Sequence, residues 1–89
     1  MQYLVTFFSV SAALHFDNLV KKRGATSEVV PVPRVLSSSC GYSVTVSEYD
    51  YEDILVVLHD YDIEWEKVFR LSNSNENESY EELAENPEF

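Results

Sequence analysis

The chain has 89 residues, 45% of them hydrophobic, with 16 acidic side chains against 6 basic ones. That length admits one domain with a modest core, and the apolar fraction argues against global disorder. No basic stripe exists to neutralise phosphates, which excludes nucleic acid as an expected partner. No apolar run approaches the ~20 residues of a membrane span, so no membrane partner is expected.

The charge is unevenly spread. Glu76, Glu78, Glu81, Glu82, Glu85 and Glu88 all follow Leu71, with no base among them. The single cysteine, Cys40, has no partner for an intramolecular disulfide, which fits a reducing compartment. The apolar start from Tyr3 to Phe16 has no Lys or Arg before it and runs on into an amphipathic helix, unlike a secretion signal. The expectation is a cytoplasmic protein.

Gln2 to Phe8 reads as a strand, because aromatic and β-branched residues dominate it. Tyr3, Val5 and Phe7 fall on one face, Leu4 and Phe8 on the other, so both faces call for cover. Ser9 then has the character of a helix N-cap. Ala12, Phe16, Leu19 and Val20 recur at helical spacing. Lys21, Lys22 and Arg23 favour the helix C-terminus, and Gly24 can take the left-handed residue that closes it.

Glu28 to Val32 is a short strand whose Pro31 lacks an amide, which predicts an edge position. After a loop, Tyr42, Val44 and Val46 are expected inward and Ser43 and Thr45 outward, the period of a strand with one covered face. Ser47 with Asp50 resembles the capping pair of a second helix. Its expected buried stripe is Tyr51, Ile54, Leu55, Leu58 and Tyr61. Asp62 ends it in the left-handed region, and Trp65 to Leu71 makes a last strand. Beyond Leu71 the composition turns to Ser, Asn and Glu and reads as a flexible acidic tail over 72–89, with Tyr80 to Glu85 able to form a helical turn. The expected fold over 1–71 is therefore α+β and ferredoxin-like, the split βαβ order βαββαβ. It has a four-stranded antiparallel sheet with two helices on one face. The uncovered face suggests a homodimer packed sheet to sheet.

The loop from Pro31 to Gly41 breaks this regular pattern and carries the lone cysteine. Topology sends it to the end of the sheet where the first helix begins, close to Phe8, Ser9 and Val10. Unpaired amides and partial positive charge at that terminus favour a thiolate. Arg34 can add a full charge, Ser37, Ser38 and Ser39 offer donors to an anion, and Gly41 leaves room above the sulfur. Cys40 admits two readings on residues alone: a nucleophilic thiol, or a small buried and inert one. Arg34 admits a solvated loop role, and the serines a plain connection. His59, at the end of the second helix, is better placed than His15 for a dyad with Cys40, although each also reads as a surface helix residue. No spacing of Cys and His fits a metal site, and two glycines, Gly24 and Gly41, allow neither a dinucleotide fingerprint nor a phosphate loop. No cofactor is expected.

Pro31-Val32-Pro33-Arg34 followed by Leu36-Ser37-Ser38-Ser39-Cys40-Gly41 resembles the signature of a family of small bacterial and archaeal selenium/sulfur carrier-like proteins. Thr6-Phe7 before Ser9, the helix ending at Gly24 and the Ile63-Glu64-Trp65 exit from the second helix are similar too. The resemblance covers Met1 to about Leu71. Phe8 and Asp62 depart from it, standing where Pro and Gly are usual. It implies a carrier rather than an enzyme, with Cys40 as the carrier thiol and Arg34, Ser37, Ser38, Ser39 and Gly41 as its frame. Sulfur or selenium donor and acceptor proteins would be its partners. Two other classes stay open. One is a non-catalytic dimerisation or binding module with a structural Cys40; the other is a redox sensor acting through an intermolecular Cys40 disulfide.

Overall fold

A computed structural model describes residues 2–33, 36, 41–74 and 77–87. The elements are β1 (Gln2–Phe7), α1 (Val10–Lys22), β2 (Thr26–Pro31), β3 (Tyr42–Ser47), α2 (Tyr51–Asp60), β4 (Lys67–Ser74) and β5 (Asn77–Glu85). They build one five-stranded sheet in the order β2-β3-β1-β4-β5, every neighbouring pair antiparallel. The strands of the unit β1-α1-β2 are split by β3, and those of β3-α2-β4 by β1. This is the interleaved βαβ order that the element sequence predicts.

One face of the sheet carries the core. Tyr3, Val5 and Phe7 of β1, Val44 and Val46 of β3 and Val68 of β4 pack with Ala13, Phe16 and Val20 of α1 and Ile54, Val57 and Leu58 of α2. Both helices therefore cover the same face. Each fully buried apolar side chain here contributes on the order of 1.5–3 kcal/mol. Phe7 and Phe16 stack at a tilt, with centroids 5.5 Å apart. On the opposite face Leu4 and Phe69, which a sheet-to-sheet dimer would use, are 1% and 6% exposed within the single chain. Thr6 and Ser43 beside them are also buried, so Ser43 does not face solvent as expected, and Tyr42, expected inward, is exposed at the strand's start. Thr6 and Ser43 spend their hydroxyls on backbone: Lys67 N–H donates to Thr6 Oγ1 (3.0 Å), and Ser43 Oγ donates to the Val30 carbonyl (3.1 Å).

The helix signals hold locally. Ala12 N–H donates to Ser9 Oγ (3.2 Å), Lys21 and Lys22 fill the last turn, and Gly24 sits at φ +93°. Asp62 takes φ 52°, the left-handed conformation expected of it. One buried polar group ties α1 to the sheet. Asp17, 6% exposed, accepts from Ser27 Oγ (2.6 Å) through one oxygen and from Lys21 Nζ (3.0 Å) through the other.

The structure corrects the sequence reading in three further places. First, the sheet has five strands, not four: the segment read as an acidic tail supplies β5, paired with β4 from Lys67↔Glu85 to Ser74↔Asn77. Its glutamates are poor strand formers in isolation, but β4 holds the complementary bases. Lys67 Nζ lies 3.3 Å from Glu82 and 3.7 Å from Glu85, and Arg70 pairs with Glu81. Glu82 holds the Lys67 ammonium above its usual pKa. Phe69 and Tyr80 meet edge to face across the same ladder, and Leu83 and Ala84 reach the core. Second, Ser47 does not cap α2. It stays in β3, accepting from Gln2 Nε2 (3.2 Å), and Asp50 forms a capping box with Asp53 instead. Third, Val57 belongs to the buried stripe of α2 and Tyr61 does not. Tyr61 is the C-cap residue, 43% exposed, with the Arg23 guanidinium 5.8 Å over its ring. The Tyr61 hydroxyl raises the Arg23 pKa.

Candidate functional site

The chain leaves β2 at Pro31 and re-enters the sheet at Tyr42, and these two residues are paired. Val32 N–H donates to the Gly41 carbonyl (3.0 Å), so the pairing continues one step further and draws the two ends of the connection together. Inside it, Leu36 N–H donates to the Pro33 carbonyl (3.0 Å). Tyr42 pairs on its other side with Phe7, the last residue of β1, and α1 opens with Ser9 as N-cap. Gly41 therefore stands at the end of the sheet where α1 begins. That matches the position expected from the strand order.

The electrostatics there follow from α1. A helix N-terminus carries partial positive charge and unpaired amides. Ser9 satisfies one amide, and no acidic residue stands in the first turn to offset the charge. Among exposed large apolar side chains, Val10 (42%) and Tyr42 (43%) flank this end directly. Leu14 follows Val10 one turn along α1.

Cys40, Arg34, Ser37, Ser38 and Ser39 lie outside the described residues. Gly41 is described, and its φ is not in the left-handed region, so no backbone strain demands glycine there. The two histidines do not share a place. His15 stacks edge to face on Tyr61 (centroids 6.4 Å), and the His59 side chain is 91% exposed beside Asp60 (3.7 Å). Among the described residues no group of His, Cys, Asp and Glu could hold a metal ion. No described helix is long and apolar enough to cross a membrane.

Sequence reasoning missed a cleft of about 410 Å³ at the end of α2. Asn86 and Pro87 form one wall of it. Both belong to the segment read as a tail, and no local signal marked them.

The molecule is thus a small α+β domain whose chain leaves β2 and re-enters β3 at the end of the sheet where its first helix begins. The chain belongs to the family described as "Putative Se/S carrier protein-like", whose model matches residues 2–70. The match takes in β1 to the first half of β4, including the connection with Cys40, and ends before β5. No curated protein and no solved structure matches the chain.

Proposed function

We propose that the chain is a sulfur or selenium carrier, with Cys40 as the carrier thiol. The observation that carries this reading is the family match, which spans Cys40 and the whole connection around it. The position of Gly41 at the end of the sheet where α1 begins supports it, since the partial positive charge of a helix N-terminus favours the nucleophilic thiolate. Arg34 and the donors of Ser37, Ser38, Ser39 and Gly41 stabilise the anion.

In the transfer step the Cys40 thiolate attacks the terminal sulfur of a persulfide on a donor protein. A new S–S bond forms to Cys40, the donor's S–S bond breaks, and the donor sulfur leaves as a thiolate. Charge and oxidation state balance without a further reactant. Selenium follows the same course from a selenosulfide. A second transfer in the same sense passes the atom to an acceptor, so the protein is a stoichiometric shuttle with no turnover of its own. Incubation with a cysteine desulfurase and free cysteine should raise the intact mass by one sulfur atom, and Cys40→Ser should abolish the gain. A folded protein that gains no mass refutes the reading.

A second reading, a binding module with a structural Cys40, is favoured by the exposed Val10 and Leu14 on α1. An alkylating reagent separates the two. A thiol that labels in the native state fits the carrier; one that labels only on unfolding fits the module.

A further inference from the structure

The cleft at the end of α2 has a mixed apolar and charged lining, and the carrier chemistry proposed above does not use it. Leu55, Leu58, Ile63 and Trp65 line it, together with Asp62 and His59. No described Lys or Arg lines it. The last turn of α2 adds the partial negative charge of a helix C-terminus to that of Asp62. The site therefore combines apolar side chains, an indole and one carboxylate.

The far wall is built, not incidental. Asn86 is 7% exposed, its backbone N–H donates to the Glu66 carbonyl (3.0 Å), and its side-chain amide donates to the Trp65 carbonyl (3.0 Å). These bonds fasten the end of β5 to the segment between α2 and β4. Pro87 also lines the cleft. Residues 86 and 87 lie beyond the matched 2–70.

We infer that this cleft binds a small organic cation with an apolar body, an arylalkyl or alkyl ammonium. Its volume lies in the range of small-molecule sites. The apolar body packs on the apolar side chains, the ammonium faces Asp62 and the α2 terminus, and the Trp65 ring offers a cation–π surface.

Trp65 is the only tryptophan and so reports directly on the site. Titration of the full chain with phenethylammonium should give a saturable change in Trp65 emission. Neutral phenethyl alcohol should bind about fivefold more weakly, the loss expected for one partly exposed charge interaction. Asp62→Asn should bring the amine down to the level of the alcohol. Asn tolerates the left-handed backbone at this position, so the variant keeps the fold. Amide shifts in the wild type should converge on Leu58, Ile63 and Asn86. The inference is overturned if the amine gives no saturable signal, if amine and alcohol bind alike, or if the shifts map elsewhere.

Discussion

Asp17 offers the sharpest test of how α1 is held on the sheet. Its carboxylate is buried, and Ser27 Oγ donates to it at 2.6 Å. A buried hydrogen bond to a charged group is worth about 1.5–3 kcal/mol. The Lys21 contact at 3.0 Å joins a half-exposed ammonium one turn along α1, and such a pair adds only about 0.3–0.5 kcal/mol. Alanine returns about 0.5 kcal/mol in helix propensity. Asp17→Ala should therefore cost about 1.3–3 kcal/mol net. At 4–8 °C per kcal/mol for a domain of this size, Tm falls by roughly 5–24 °C. Asp17→Asn keeps an acceptor for Ser27 and should cost about half as much. The assay is urea unfolding followed by far-UV circular dichroism, run as a cycle with Ser27→Ala. A coupling of about 1–2 kcal/mol is expected for neighbours that share a bond. If Asp17→Ala costs under about 0.5 kcal/mol, or the two substitutions simply add, the carboxylate is not what ties α1 to β2.

Gly24→Ala should lose about 1–2 kcal/mol in the same assay, since φ +93° strains any side chain while nothing described stands within 4 Å to clash. Arg70→Glu puts like charges opposite one another on β4 and β5. Amides of the β5 ladder should exchange about fivefold faster, while those between β1 and β3 are unchanged. Lys67 has its pKa raised above 10.5 by Glu82, so its contribution is complete below that pH and is lost as pH rises through the folded value. The gap in Tm between wild type and Lys67→Gln should accordingly narrow on passing upward through pH 10.5. A gap that stays constant would assign Lys67 no electrostatic role.

What the sequence made legible was whatever rests on local chemistry. Ser9, the apolar spacing, the closing lysines and Gly24 act within one or two turns of α1, and all appear as read. The left-handed Asp62 is likewise a property of one residue. Ser47 and Asp50 are both good caps, and nothing local chooses between them. Pairing does: Ser47 is opposite Gln2 on one side and Thr26 on the other, which keeps it in β3. β5 was hidden for the same reason. A run of glutamates looks solvated until Lys67 and Arg70 are set across from it, and only the β4–β5 register does that. For the candidate site, the strand order gave the position of Gly41, whereas the chemistry of Cys40 rests on the family.

The fifth strand also bears on how a carrier of this build would meet its partners. Exposed sheet edges invite pairing with other chains, and proline and charge on the edge discourage it. Here one edge is β2, which ends in Pro31, and the other is β5, which carries Glu81, Glu82 and Glu85. Without β5 the edge would be β4, with Val68, Phe69 and Leu71 in its ladder. The added strand thus replaces an apolar edge by an acidic one. The open sheet face gives little in its place, because Leu4 and Phe69 are already buried. On the carrier reading, contact with a donor then falls to side chains at the end of the sheet that bears the connection, where Val10 and Tyr42 are exposed beside the start of α1. That is also the end at which the thiol would have to be offered.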